Sequence, residues 1–135
     1  MQGHLKGRFT ILMYHRVLPD DVCQLYPLSN LVMPLSVFEA EVAWLAQHAS
    51  ICTAAEAIGA SAEPTNRMRV CITFDDGYWD NAEVAVPVLD RAGMRATFYL
   101  ATNFVDQGVP LWFDVAALAW TQEPALASRV ADEVL

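Results

Sequence analysis

The sequence predicts an α/β protein with a mostly parallel sheet of about four strands and intervening helices. Short apolar runs rich in β-branched residues alternate along the chain with stretches of helical periodicity. One such run, residues 70–74, ends abruptly in Asp75, Asp76 and Gly77, as a buried strand does where its carboxyl end opens into a polar cleft. Four strands are too few for the usual parallel barrel of eight. We therefore expect a small open sheet or the first part of a larger barrel, and the helical pattern at the chain end favours the latter.

The first predicted strand covers residues 8–14 and places His15 at its carboxyl end. Residues 18–35 contain three prolines and few charges, which predicts a long loop. Ser36 stands three residues before Glu39, the spacing of a capping box, and an apolar helical face follows. A helix is therefore expected from Ser36 onward.

The middle of the chain is predicted to contain a short strand over residues 50–53 and a short helix over residues 54–58. Thr53 and Glu56 repeat the capping-box spacing where the two meet. Residues 59–67 are predicted to be a connector. The strand at residues 70–74 follows and leads directly to the two carboxylates.

The third capping pair, Asp80 and Glu83, predicts a helix that ends near Ala92. Gly93 suits the left-handed residue that commonly follows a helix. Pro87 lies inside this helix and is expected to kink it or to divide its first turn from the rest. The remaining predicted elements are a strand over residues 95–101, a helix near residues 115–120 and a last helix from Pro124.

Composition and charge limit the partners. The net charge of −8 argues against nucleic acid or an anionic membrane surface and suits metal cations and neutral sugars better. Cys23, Cys52 and Cys71 show no CxxC spacing, so a disulfide framework or a cysteine zinc site is not expected. The first residues lack the apolar core of a signal peptide, and no run approaches a membrane span. We expect a cytoplasmic protein, provided that Met1 is the true start.

The pair Asp75 and Asp76 has two interpretations. Neighbouring strand residues point to opposite sides, so the two carboxylates are expected to have different surroundings and different roles at one cleft. An Asp-Asp-Gly sequence after a strand is, alternatively, only a turn. A phosphatase of the haloacid dehalogenase type requires a second aspartate where Gly77 stands, and no GxGxxG follows any strand. Neither of those enzyme classes is therefore supported.

Three segments carry a more specific pattern. Residues 11–17 are Ile-Leu-Met-Tyr-His-Arg-Val, residues 33–45 include Pro-Leu-Ser-Val-Phe-Glu, and residues 71–102 include Ile-Thr-Phe-Asp-Asp-Gly-Tyr and Ala-Thr-Phe-Tyr-Leu. Together they resemble the polysaccharide deacetylase family (NodB-homology domain, carbohydrate esterase family 4), in the branch similar to poly-N-acetylglucosamine deacetylases. The resemblance implies a distorted (β/α) barrel, of which this chain is the N-terminal part.

The resemblance also implies site residues. Asp75 corresponds to the general base, Asp76 to a ligand of a divalent metal (Zn foremost, with Co, Ni or Fe open) and His15 to the general acid. A histidine at a strand tip is, alternatively, a structural hydrogen-bonding residue. Tyr99 and Trp112 are candidates for substrate contact, and a backbone N–H at or beside Tyr99 for the oxyanion donor. Trp112 is, alternatively, core against the rest of the domain.

One departure from the family pattern is clear, because a His-x-x-x-His segment normally supplies the other metal ligands. This chain has no histidine after His48. We therefore expect residues 1–135 to be a single partial domain that binds metal weakly, is inactive alone, and either self-associates through exposed surface or is unstable alone. The whole enzyme would act on an acetylated amino-sugar glycan or on a small acetylated substrate. The alternative is a decayed domain that binds glycan or a protein partner.

Overall fold

The computed structural model describes residues 9–59 and 67–122. The strands are β1 (Thr10–Tyr14), β2 (Arg16–Leu18), β3 (Val32–Pro34), β4 (Ala49–Cys52), β5 (Met68–Phe74) and β6 (Thr97–Phe98). The helices are α1 (Asp20–Cys23), α2 (Leu35–His48), α3 (Ala54–Gly59), α4 (Val86–Arg91), α5 (Thr102–Gln107) and α6 (Trp112–Gln122). A 3₁₀ turn, Ser29–Leu31, precedes β3, and a π-helical turn, Asn81–Ala85, precedes α4. None of the described helices is long and apolar enough to cross a membrane.

Strand β5 lies at the centre of a four-stranded sheet. It pairs with β1 along one edge, with Tyr14 opposite Phe74. On its other edge it pairs with β4 through its first half and with β6 at its carboxyl end. All these pairings are parallel, which confirms the predicted sheet type.

One face of this sheet, the helix-covered face, packs against α2 and α4. Alternate residues of β5, Val70, Ile72 and Phe74, are buried in this core because side chains on a strand alternate between faces. The rings of Tyr14, Phe38 and Phe74 pack together, with centroids 5.3 to 6.0 Å apart. This aromatic contact joins the carboxyl ends of β1 and β5 to the first turns of α2.

The opposite face of the sheet, the open face, is covered unevenly by the described residues: Cys71 and Thr73 of β5 are buried there, whereas β1 is exposed. Ile11 and Met13 of β1 are 56% and 60% exposed. A groove of about 250 Å³ runs along this face, lined among others by Ile11, Met13, Cys71, Thr73, Asp75 and Tyr99. A parallel sheet normally has both faces covered, so this groove is the side on which a closed barrel would have its interior.

Helical structure begins within one residue of each of the three predicted starts, but the predicted capping bonds form at only one of them. The N–H of Thr53 donates to Glu56 and the N–H of Glu56 donates to the Thr53 hydroxyl, which is a complete capping box before α3. The helix predicted from Ser36 is present, but Ser36 is not its cap, because Ser36 lies inside α2 and its N–H donates to Oδ1 of Asp20, 3.0 Å away. A residue distant in the chain supplies that cap.

The third pair was also wrong as a cap. Asp80 has helical backbone angles and no side-chain capping bond, and a π-helical turn follows it. Pro87 lies in the first turn of α4, which confirms that it divides the helix from the preceding turn. Gly93 has a φ of 64° and follows the last helical residues, as predicted for the end of this helix.

Several short elements differ from the prediction. Residues 18–35, predicted as a long loop, contain α1, a 3₁₀ turn and β3, which pairs with β2 in a two-stranded parallel sheet. The strand predicted over residues 95–101 is reduced to β6, helix α5 was not predicted, and the helix predicted near residues 115–120 begins earlier, at Trp112. The connector is described only at its two ends, and the helix predicted from Pro124 lies outside the described residues.

Candidate active site

The two adjacent carboxylates lie on the turn that follows β5. The N–H of Asp75 donates to the carbonyl of Tyr14, 3.0 Å away, so the pairing with β1 continues one residue beyond the strand. Asp76 and Gly77 then adopt left-handed angles, with φ of 74° and 84°. Asp tolerates this conformation better than most residues. As a result Asp75 lines the groove of the open face, whereas Asp76 contacts His15.

This turn is held closely by the segment after β6. A Cβ atom at Gly77 would lie 2.9 Å from side-chain atoms of both Leu100 and Val105, so both would have to shift to admit another residue, at a φ that favours glycine. The N–H of Ala101 donates to the carbonyl of Asp76, 3.1 Å away. The position of the carboxylates therefore depends on residues about 25 positions later in the chain.

His15 connects β1 to β2 and faces the second carboxylate. Its Nδ1 atom lies 3.0 Å from Oδ2 of Asp76, and the two side chains are 22% and 19% exposed. In this position the contact is shielded from solvent but can still be reached by a ligand. The neutral tautomer that donates from Nδ1 to Asp76 leaves Nε2 as the acceptor atom.

The residue after His15 forms a partly buried ion pair with Asp80. Arg16 donates from Nη2 and Nε to Oδ1 of Asp80, at 2.7 and 3.0 Å, and the N–H of Val17 donates to Oδ2 at 3.0 Å. Burial acts to lower the pKa of Arg16, but the hydrogen bonds and charge of Asp80 outweigh it and raise that pKa. The guanidinium is therefore charged.

Two tyrosine rings enclose this guanidinium. The Arg16 Cζ atom lies 4.6 Å from the ring centroid of Tyr26 and 4.5 Å from that of Tyr78. The hydroxyl of Tyr78 donates to Oδ2 of Asp114 at 2.8 Å, and that of Tyr26 donates to Oδ1. Burial and these hydrogen-bonded neighbours raise the pKa of both tyrosines, so both hydroxyls remain donors at neutral pH.

Sequence reasoning missed this cluster. Arg16 was noticed only as a neighbour of His15, Asp80 was assigned to a helix cap, and Tyr26 fell in the predicted loop. The one local signal was that Tyr78 and Asp80 follow the two carboxylates closely in the sequence. Nothing in the sequence around Asp114 indicates that helix α6 reaches this region.

Comparison with known proteins gives a match over the second half of the chain. A sequence profile of the polysaccharide deacetylase family matches residues 62–133, slightly more than half of the chain. The chain belongs to the polysaccharide deacetylase family. YxkH of Bacillus subtilis (strain 168), a presumed polysaccharide deacetylase, is 35% identical over 98 residues, which are 70% of this chain and 32% of YxkH.

Solved structures of deacetylases have the same fold. The chain aligns with the deacetylase PplD of Streptococcus pyogenes, in complex with acetate, at a TM-score of 0.60 and 21% identity, covering 80% of this chain and 50% of PplD. IcaB from Ammonifex degensii aligns at a TM-score of 0.59 and 25% identity, covering 82% of this chain and 48% of IcaB. A de-N-acetylase from Aggregatibacter actinomycetemcomitans aligns at a TM-score of 0.61 and 19% identity, covering 84% of this chain and 51% of the de-N-acetylase.

These matches confirm the resemblance and the fold class predicted from the sequence. This member of the polysaccharide deacetylase family spans about half the length of each solved structure and about one third of YxkH. Its fold therefore aligns with about half of each of these deacetylase structures.

The two predicted substrate contacts lie in different places on this polysaccharide deacetylase chain. Tyr99 is 52% exposed and lines the groove together with Asp75. Its N–H donates to the carbonyl of Phe74 at 2.8 Å, so of the predicted candidates for the oxyanion donor the N–H of Tyr99 itself is engaged in the sheet, and the prediction rests on the N–H groups beside it. Trp112 is 79% exposed at the start of α6 and is not among the residues that line the groove.

The predicted metal ligand has no complete set of partners in the described part of this family member. Within residues 9–59 and 67–122 there is no group of three His, Cys, Asp or Glu side chains that could hold a metal ion. Asp76 offers one carboxylate, and His15 lies against it. A catalytic zinc site uses three protein ligands. These residues fit part of such a ligand set and do not complete it.

Proposed function

We propose that this chain is part of a metal-dependent deacetylase that hydrolyses the N-acetyl group of an amino-sugar glycan. The observation that carries the proposal is the convergence of Asp75, Asp76 and His15 at the carboxyl edge of the parallel sheet. Catalytic groups collect at this edge in parallel α/β folds. Family membership and the acetate complex of the deacetylase PplD support the removal of an acetyl group, and the name of the de-N-acetylase supports the N-acetyl bond as the one cleaved.

Asp75 is the proposed general base. It lines the groove of the open face, and it makes no contact with His15 comparable to that of Asp76. A carboxylate directed to a groove can accept a proton from a water that attacks the acetyl carbonyl. Tyr99, on the same groove, would border the sugar.

His15 is the proposed general acid. Its Nδ1 atom is held by Asp76, so Nε2 is the atom that would deliver a proton to the leaving amine. The carboxylate contact fixes the orientation of the imidazole ring. Trp112, exposed at the start of α6, is proposed as a second surface for the glycan, since an indole face suits the apolar face of a sugar ring.

Asp76 is the proposed metal ligand. A bound divalent cation, with zinc the first candidate, would lower the pKa of a water and polarise the acetyl carbonyl. The other ligands would come from outside the described residues, since the three histidines of the chain are His4, His15 and His48. A carboxylate shared between an imidazole and a cation is a common arrangement in metal sites.

We further infer that residues 1–135 form a single partial domain. The chain spans about half the length of its structural relatives, and Ile11 and Met13 present apolar side chains to solvent. In the whole enzyme the remaining strands would cover this face and supply the missing imidazoles. In the isolated chain the same face is the proposed route of self-association.

A deacetylase assay on chito-oligosaccharide with added Zn²⁺ or Co²⁺ tests the proposal. The 135-residue chain is compared with a version extended by the downstream genomic sequence. Activity is expected in the extended version only and is expected to be lost in Asp75→Asn. Asp106→Asn, the same change at an exposed position on α5, is the control and should retain activity. No activity in either version would favour a domain that binds glycan without cleaving it.

A further inference from the structure

The loop after β1 and the turn after β5 are joined at three successive points. In each case a hydrogen-bond distance of 3.0 Å separates the two partners. The hydrogen-bonded pairs are Tyr14–Asp75, His15–Asp76 and Val17–Asp80. The contact between the proposed acid and the proposed metal ligand is therefore the middle one of three, and its geometry depends on the two that flank it.

Asp80 holds the second flanking point and depends on Arg16 to do so. It is 6% exposed, and its two oxygens accept three hydrogen bonds, two from Arg16 and one from the N–H of Val17. A buried carboxylate that loses its cation carries a large desolvation cost. Without Arg16, Asp80 would therefore turn toward solvent and release the backbone directly after His15.

The guanidinium itself has little freedom. It lies between the rings of Tyr26 and Tyr78, both within 4.6 Å of Cζ, and the two hydroxyls converge on Asp114 of α6. A planar cation between two ring faces keeps its orientation better than a flexible ammonium would. The enclosure thus sets the direction in which Arg16 donates to Asp80.

We propose that Arg16 is a positioning residue that holds His15 against Asp76 through its ion pair with Asp80. This rests on the proposed function insofar as His15 is the acid that must reach the leaving amine. Arg16 touches neither the groove nor Asp75 in the described contacts, so its effect is indirect. Helix α6 takes part through Asp114, which orients the two tyrosines.

The first test is spectroscopic and does not require activity. The ¹⁵N chemical shift of His15 Nδ1 at one fixed pH reports its hydrogen bond, with His15→Gln used for assignment. Arg16→Gln is expected to remove the hydrogen-bond signature. Arg91→Gln, which breaks an exposed ion pair with Glu39, is the matched control and should leave the signature unchanged. An unchanged signature in Arg16→Gln would overturn the proposal.

The second test is kinetic, in the version of the protein that is active. Arg16→Gln is expected to lower kcat by about 100-fold, the scale of a small misplacement of a catalytic group, with little change in KM, because His15 acts on the leaving group and not on binding. Arg16→Lys keeps the charge but not the planar fork and is expected to recover less than about a tenth of the lost kcat. Full recovery by lysine, or an effect on KM alone, would contradict the positioning role.

Two further outcomes are distinguishable. If Arg16→Gln does not fold, the double variant Arg16→Gln with Asp80→Asn removes both charges together. In that folded variant the hydrogen-bond signature in the ¹⁵N chemical shift of His15 Nδ1 is expected to be lost. An intact signature there would equally overturn the proposal. If the signature is lost in Arg16→Gln while the wild-type protein deacetylates nothing, the positioning role stands and the proposed function fails.

Discussion

His15 Nδ1 and Asp76 Oδ2 lie 3.0 Å apart although 61 positions separate them in the chain. The parallel pairing of β1 with β5 makes this possible, because it brings the carboxyl ends of both strands to the same edge of the sheet. The left-handed turn at Asp76 then directs its carboxylate toward β1, whereas Asp75 remains on the groove. Two neighbouring carboxylates thus acquire different partners.

Replacing Gly77 by alanine should destabilise the protein. The new Cβ would lie 2.9 Å from Leu100 and Val105, at a residue whose φ is 84°. We expect a loss of about 2–4 kcal/mol in the free energy of unfolding, from backbone strain and overpacking together. Denaturant titration measures it.

Gly108→Ala is the control for that change. Gly108 has a φ of 65°, and a Cβ added there would have no atom within 4 Å, so only the backbone term of about 1 kcal/mol is expected. Equal losses in the two variants would show that the close approach to Leu100 and Val105 contributes nothing.

Replacing Thr53 by alanine should lower the free energy of unfolding by about 1 kcal/mol, the usual value for losing a helix cap. The Thr53 hydroxyl accepts the N–H of Glu56 at 3.2 Å. Ser36→Ala is the matched control and should cost almost nothing, since Asp20 caps α2. A loss at Ser36 as large as that at Thr53 would mean that Ser36 caps α2, as its spacing with Glu39 predicts.

The raised pKa of Tyr14 should make the free energy of unfolding decrease at alkaline pH. Burial, and then the hydrogen bond to Glu41 at 2.8 Å, raise the pKa of Tyr14. The unfolded chain therefore loses this proton at lower pH than the folded one, so the stabilisation is complete below about pH 10 and is lost as pH rises from there.

The measurement is the free energy of unfolding between about pH 7 and 11, a range that spans the ordinary pKa of tyrosine. Tyr14→Phe is expected to lose about 1 kcal/mol at neutral pH, from the missing hydrogen bond, and to show a shallower decline above about pH 10. Parallel curves for the two proteins would rule out Tyr14 as a source of the alkaline decline.

Metal binding by the isolated chain should be weak and should depend on Asp76. A carboxylate that belongs to no group of three ligands among the described residues is expected to give a Kd for Zn²⁺ or Co²⁺ above about 1 µM by calorimetry. Asp76→Asn should abolish the remaining heat, and Asp106→Asn should not. Tight binding that is lost in Asp76→Asn would mean that this chain already contains the other ligands.

Local sequence patterns predicted the larger elements. The β-branched run that ends in Phe74 and the apolar helical face of α2 each carry a periodicity long enough to recognise. Strands β2 and β3 have three residues each, too few for any period to be visible. They exist because Val17 and Met33 pair with one another, and this pairing is a property of the whole fold.

The same distinction holds at the candidate site. Asp75, Asp76 and His15 were named from strand-end patterns and from a family resemblance. Asp80 was misassigned because its local spacing with Glu83 matches a capping box. In the structure its carboxylate instead accepts hydrogen bonds from Arg16 and from the N–H of Val17. An ion pair with charge-assisted hydrogen bonds is stronger than a helix cap.

The sequence by itself determined the class of the fold, the family, and the strand tips at which Asp75, Asp76 and His15 stand. These properties can be predicted from short-range periodicity and from contiguous motifs. Only the tertiary structure decided that Asp76 and not Asp75 contacts His15, and that Arg16 lies between two tyrosine rings. Such contacts depend on backbone direction at single residues and on segments far apart in the chain, and no local pattern encodes either.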